Sequence, residues 1–261
     1  MSTNVRTQYL TRYILPLREG GSLPALAEAD DGFKYVVKLK GGGHGNKSLI
    51  SEFVGGQVAK ALKFKVPEYV FLNLDEAFGI TEPDQEVQEL LRKSEGLNLG
   101  LHFLEGAVTF DPAINSIDPL YASKLVWLDG FLTNVDRTRL NPNMMVWNHD
   151  LWLIDHGASL YFHHSDKEPE IAAADPFPYI KSHVMLPYAT RLEEADKLMR
   201  QAITPRTLKK ITEQLPDDWL IEEGGAKKPE EQRDKYYKFL NLRLMNTIPF
   251  VQQAIHERSL L

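Results

Sequence analysis

The 261-residue chain contains no cysteine. That excludes disulfides and thiolate metal ligands together. Long apolar runs are also missing: the longest, such as LVWL at 125–128, fall far short of the ~20 residues that span a bilayer. The opening stretch MSTNVRTQYLTRYILPLREGG holds no apolar segment long enough for a signal peptide. Positive charge is not in excess. The formal net charge is -6 and no Lys/Arg-rich run stands out, which speaks against nucleic acid as a partner. Internal repeats and low-complexity tracts are absent. What remains is an ordinary globular composition, 43% hydrophobic and 25% charged, with enough chain to bury a sizeable core. These features predict a soluble, cytoplasmic protein with no membrane span and no nucleic-acid binding.

Several common site motifs are missing too. GGGHGNKS (41–48) follows a strand and opens a helix, as a Walker loop does, but Asn46 separates Gly45 from Lys47, and the Walker pattern needs them adjacent. It reads as a flexible strand–helix loop. No H-x-x-x-H spacing falls on a helix. The adjacent pair His163 and His164 is expected to point apart, and His149 to sit in a solvated turn, so a zinc site is not expected. Lys227-Lys228 reads as a solvated loop.

The elements present change character along the chain. TRYILPL, the turn around Gly20, Gly21 and Pro24, and EADDGFKYVVKLK with its Asp30-Asp31-Gly32 turn predict a meander of three antiparallel strands. SLISEFVGGQVAKALKF predicts a helix weakened by Gly55 and Gly56, each costing about 1 kcal/mol against Ala. VPEYVFLNL reads as a strand, PDQEVQELLRKSEG as a short helix and LNLGLHFL as a strand. DPLYASKLVWLDGFLTNVD is apolar enough for a buried helix. NMMVWNHDLWLIDHG predicts a hairpin around Asn148-His149-Asp150. Three helical patterns follow: EEADKLMRQAI, then TPRTLKKITEQL with Thr204 as N-cap and Pro205 at N1, then a single long helix from Glu230 to Glu257, with Tyr236, Tyr237, Phe239 and Leu240 as core. The fold class is therefore α+β, β-rich at the N-terminus and helical at the C-terminus.

Three polar residues sit oddly in the apolar stretch from Asn134 to Gly157. Asp136, Asn141 and Asp155 lie close to MMVW and LWLI, where an ionised carboxylate is costly unless paired or bound to metal. Magnesium takes hard oxygen ligands. A hairpin between Asn141 and Asp155 brings both to one end of the ribbon, with Asp136 beside them. Asn143 is a second choice of ligand; the spacing favours Asn141. A strand lysine, Lys38, sits among Val36, Val37 and Leu39, and Glu52 follows fourteen residues later on a helix. Phosphoryl transfer needs such parts: a cation held by a carboxylate, metal-binding oxygens and an acceptor for the hydroxyl proton.

YVVKLKG, SLISEFVGGQVAKALKFKVPE and FLTNVDRTRLNPNMMVWNHDLWLIDHGASLYFHH resemble the HipA-like kinase family, a branch of the protein-kinase-like superfamily, over about 15–164. The DR of Asp136-Arg137 and the IDHG of Ile154 to Gly157 are also similar to phosphatidylinositol kinases. The resemblance implies a two-lobed fold, with an ATP-binding lobe at 1–100 and a catalytic, helical lobe at 101–261, hinged near LHFLEG, that uses ATP and Mg²⁺. It implies Lys38 on the ATP phosphates with Glu52 as its partner, Asp136 as the catalytic aspartate, and Asn141 and Asp155 on the metal. His156, in the middle of the metal-binding triplet, is expected to pack. The chain departs from the pattern in two places. Asn134-Val135 precede the catalytic aspartate where HR is usual, and there is no G-x-G-x-x-G loop. EGGSLP leaves Gly20, Gly21 and Ser22 as the phosphate-loop candidates. The chain is also shorter than full HipA toxins. The implied acceptor is a Ser/Thr hydroxyl on a protein. The alternatives are a lipid or small-molecule hydroxyl, or a nucleotide-binding pseudokinase or partner-binding module. A regulatory protein is a further expected partner.

Overall fold

Strand β1 (Thr7–Pro16) pairs antiparallel with β2 (Ala25–Ala29), and β2 with β3 (Lys34–Lys38). The expected meander therefore forms. Gly32 makes its second turn at φ +78°, a conformation open to glycine at no steric cost. This computed structural model describes residues 5–17, 24–43, 45–79, 82–165, 167–221 and 228–261. Helix α1 (Gly45–Ala61) follows, then β4 (Tyr69–Leu74), α2 (Gln85–Lys93) and β5 (Gly96–His102). Asp84 caps α2, its carboxylate accepting from the Glu86 and Val87 amides.

The strands close into a barrel in the order β1-β2-β3-β5-β4. The closing seam is parallel: Thr7–Tyr9 lie beside Phe71–Asn73. Closure removes the unpaired edges that an open five-stranded sheet would present. Small residues permit it. Ala25, Ala27 and Ala29 all point inward, and a Cβ on Gly100 would come within 2.4 Å of Leu72 Cδ1. Tyr35, Val37, Val70 and Leu72 fill the rest of the interior.

Beyond the barrel, β6 (Val108–Thr109) joins the hairpin of β7 (Met144–Trp147) and β8 (Asp150–Leu153). Asn148 and His149 turn the hairpin with φ of 49° and 65°, the two-residue turn that matches strand twist. Asp150 already belongs to β8, paired with Trp147. Helix α3 (Pro119–Leu132) is buried nearly all round. The C-terminal part adds α4 (Pro169–Ala174), α5 (Leu192–Ala202), α6 (Pro205–Thr212), α7 (Asp217–Leu220), α8 (Pro229–Met245) and α9 (Ile248–Ser259). Thr204 caps α6, with Pro205 in its first turn.

The single long C-terminal helix expected from Glu230 to Glu257 is instead two, α8 and α9. Pro249 lies in the first turn of α9, where its missing N–H costs nothing but a helix arriving from α8 could not pass. Tyr236, Phe239 and Leu240 are core, as expected, while Tyr237 is half-buried.

One apolar cluster runs from Leu49 and Phe53 of α1 through Leu99, Leu125, Trp127 and Phe131 to Phe239 and Phe250. α7 ties the C-terminal part back to the barrel: the Trp219 indole N–H donates to Leu97 O at 2.9 Å and its ring meets Phe53 and Phe71 edge-on. No helix among the described residues is long and apolar enough to cross a membrane.

Candidate active site

β3 delivers Lys38 and α1 delivers Glu52 to one buried point. Val36 and Lys38 share the face of β3 that looks at α1, as strand alternation requires. Lys38 Nζ donates to Glu52 Oε2 at 2.6 Å and to Asp155 Oδ1 at 2.5 Å. Glu52 is fully buried, whereas the Asp155 side chain is 42% exposed. Burial alone would favour a neutral Lys38, but the charges of Glu52 and then Asp155 outweigh it and hold the ammonium above its ordinary value. Burial likewise opposes ionisation of Glu52, and Lys38, followed by His156, overcomes it and keeps the carboxylate well below the usual range. The Tyr69 hydroxyl takes the other oxygen, donating to Glu52 Oε1 at 2.9 Å.

The loop after α3 carries Asp136. Its carboxylate accepts from Asn141 Nδ2 at 2.7 Å and from Asn143 Nδ2 at 3.3 Å. Both candidate asparagines therefore converge on Asp136: Asn141 is exposed, and Asn143 is buried and also donates to Asp136 O. Burial raises the Asp136 pKa, the charge of Asp155 adds to this, and the two amides act against it. The β7–β8 hairpin brings Asn143 beside Ile154, whose amide donates to Asn143 O at 3.0 Å, so Asp155 stands at the same end as the loop. Thr133, Asn143, Asp155 and Leu160 all have positive φ, from 49° to 55°. Such left-handed non-glycine residues are uncommon and gather at functional sites.

Gly20, Gly21 and Ser22 lie outside the described residues. The strand–helix loop expected over 41–48 is shorter, because Gly45–Ser48 already form the first turn of α1. Asn46 Nδ2 donates to Asp218 O and Lys47 Nζ to His163 O, so both side chains are engaged in packing contacts. The expectation that His163 and His164 point apart is overturned: their Nε2 atoms are 3.1 Å apart. The tight 161–164 turn brings the rings together at 89°, and His163 Nδ1 is held 3.2 Å from the Tyr236 hydroxyl. Burial, His164 and Lys47 push the His163 pKa down to about 2, so it is neutral. Among the described residues no three His, Asp or Glu side chains gather as a metal site.

The sequence reading missed the support beneath the loop. Asp129 of α3 is fully buried and accepts from Arg137 Nε at 2.5 Å, from His183 at 2.8 Å and from Asn134 Nδ2 at 2.9 Å. The Met185 amide donates to His183 Nδ1, which leaves Nε2–H as the donor to Asp129. Arg137 Nη1 donates to Asn143 O and Ile154 O, joining the two strands that flank Asn141 and Asp155. Arg137 was visible in the sequence only as the second residue of DR. Asp129 and His183 gave no local signal.

A family model described as HipA-like kinase matches residues 11–247. The chain belongs to the HipA-like kinase family. It is thus a kinase, and the Lys38–Glu52–Asp155 and Asp136–Asn141 groups lie within the matched segment. No curated protein sequence matches it significantly. Among solved structures, the proinflammatory kinase CtkA of Helicobacter pylori is similar, at TM-score 0.59 and 14% identity, over 98% of both chains. That likeness is one of fold, and it makes this fold kinase-like. The Golgi casein kinase matches at TM-score 0.40 and 12% identity, over 92% of this chain and 74% of its own.

Proposed function

We propose that this kinase transfers a phosphoryl group from ATP, with Mg²⁺, to a Ser/Thr hydroxyl on a protein. The observation that carries the reading is the convergence of Lys38, Glu52 and Asp155 at one point with Asp136 and Asn141 at the end of the adjoining hairpin. In this reading residues 1–100 are the ATP-binding lobe and 101–261 the catalytic lobe, with the hinge near Leu101–Gly106. Nucleotide sits between the barrel and the 134–157 segment.

Lys38 places a positive charge on the phosphates that are not transferred, and Glu52 holds it there. Asn141 and Asp155 suit magnesium. The Asn141 amide nitrogen is used by Asp136, which leaves its oxygen available, and Asp155 engages Lys38 through Oδ1 alone among the described residues. Two hard oxygens with phosphates and waters are an ordinary magnesium complement. When bound, the ion supplies charge neutralisation at the phosphates. Asp136 orients the acceptor hydroxyl and accepts its proton.

The test is incubation of the protein with γ-labelled ATP and Mg²⁺ beside Asp155→Asn and Asp136→Asn, followed by mass spectrometry. Phosphate on Ser or Thr in the wild type alone is the expected result. Each substitution should cut the rate by roughly 10²–10⁴-fold with little change in melting temperature. Equal rates in all three proteins would sink the assignment. ATP consumption that responds only to a lipid or small-molecule alcohol would correct the acceptor.

A further inference from the structure

Two glycines in the middle of α1 are left unexplained by the proposed chemistry, and what they make room for points to a further role. A Cβ on Gly56 would lie 2.1 Å from the Tyr69 hydroxyl, and one on Gly55 would lie 2.6 Å from His156 Cβ. The pair lets β4 and the residue after Asp155 press directly onto the helix that carries Glu52. Both incoming side chains are buried, Tyr69 at 3% exposure and His156 at 0%. Tyr69 has one O–H, and it is spent on Glu52 Oε1 at 2.9 Å. His156 Nδ1 stands 3.5 Å from the same hydroxyl and 3.8 Å from Glu52 Oε1.

We propose that Tyr69 and His156 are positioning residues for phosphoryl transfer, which act by fixing the carboxylate of Glu52. The inference rests on the kinase site described above. Held at Oε1 by Tyr69 from β4 and at Oε2 by Lys38 from β3, the carboxylate plane cannot rotate without losing one of two buried hydrogen bonds. His156 closes a ring. From Lys38 the path runs through Glu52, Tyr69 and His156, along one peptide unit to Asp155, and back to Lys38. A displacement of the 155–157 triplet is thereby felt at Glu52, and one of α1 is felt at Asp155. A buried hydroxyl takes a partner wherever it lies, and those of Tyr69 among the described residues, Glu52 and His156, both belong to this cluster.

A double-mutant cycle on the full chain tests this. Tyr69→Phe keeps the ring and removes the hydroxyl; Glu52→Gln keeps the shape and removes the charge. Mg-ATP turnover and Mg-ADP affinity by calorimetry are measured for both and for the pair. Tyr69→Phe is expected to lower kcat/KM about tenfold, the worth of one hydrogen bond to a charged group. In the Glu52→Gln background the same change should cost less than about twofold, because the bond it removes is already compromised. Full, additive loss in that background, or a wild-type rate in Tyr69→Phe, overturns the role of Tyr69. For His156, Asn retains an amide near the Nδ1 position and Leu does not. His156→Asn should keep about tenfold more activity than His156→Leu, and equal losses would remove His156 from the network. A wild-type protein no faster than Asp155→Asn would defeat the kinase-site reading instead. In that case non-additivity in Mg-ADP affinity supports the Tyr69–Glu52 coupling and additivity overturns it.

Discussion

Lys38 shows how much the site depends on single charges. Among the described residues its ammonium is the only cation within salt-bridge range of the fully buried Glu52, apart from His156, which counts only if protonated. Lys38→Met should therefore destabilise the fold by about 3–5 kcal/mol, because a buried charge loses its partner. The urea midpoint at pH 7 reads this, and lowering the pH should recover part of the loss as Glu52 takes up a proton. A midpoint unchanged at pH 7 would contradict the pairing. Asp136 sets a second expectation. In the proposed role Asp136 must be deprotonated, and its pKa is raised by burial and by Asp155. The acid limb of kcat should then lie above the ordinary aspartate value of 3.8, and Asn141→Ala should move it further up by removing a hydrogen bond to the ionised form. The candidate residues Lys38, Glu52, Asp136, Asn141 and Asp155, which the fold brings into two adjoining groups, stood out in the sequence because each was a polar group in an apolar or tightly spaced setting. Asp129, Tyr69 and His183 did not. Tyr69 lies 17 positions from Glu52, and His183 lies 54 from Asp129.

At the scale of the element, α1 poses the sharpest conflict between local preference and packing. Gly56→Ala gains about 1 kcal/mol of helix propensity. It also drives a methyl group into the buried Tyr69 ring, with contacts of 2.1 to 2.5 Å. Overpacking of that kind costs about 1–3 kcal/mol, and β4, hydrogen-bonded on both sides, gives the ring little room to retreat. Packing should win: the substitution is expected to lower the melting temperature and to weaken nucleotide binding. Both could be checked by calorimetry, and a more stable variant would refute the argument. The sequence reading identified α1 and its weak point but not the reason for it, since the cause lies on another strand. α9 is the converse case. There a local signal, Pro249, was present, yet the apolar periodicity on either side concealed the break.

The molecule as a whole is held by buried ion pairs whose strength depends on pH. Burial opposes ionisation of Asp129, but Arg137 and His183 outweigh it and hold its pKa below the ordinary 3.8; Lys38 and His156 do the same for Glu52 against an ordinary 4.5. A carboxylate with a depressed folded-state pKa contributes fully above its unfolded value and loses that contribution as pH falls toward the folded one. Unfolding free energy should be level near neutrality and decline below about pH 5. Asp129→Asn should start lower and flatten the decline. A curve flat to pH 3 would show that these pairs do not stabilise the fold. Other internal ties carry no such dependence. Arg243 is buried and donates to the carbonyls of Gly130, Ala173 and Asp175, joining α3, α4 and α8. Burial lowers its pKa to about 9, so it stays charged across this range.

By itself the sequence determined the α+β order, most strands and helices other than β6, α4, α7 and the α8–α9 break, and the candidate residues for the site, because periodicity, turn residues and caps act within a few positions. Family membership was also legible, since it rests on short motifs with fixed spacing. Only the tertiary structure decided that the strands close through a parallel β1–β4 seam, that α7 straps the C-terminal part to the barrel, and that Tyr69 and His156 reach Glu52 across two glycines. The physical reason is the same in each case. These are contacts between surfaces distant in the chain, chosen by which side chains leave room for one another, and no local pattern records that room.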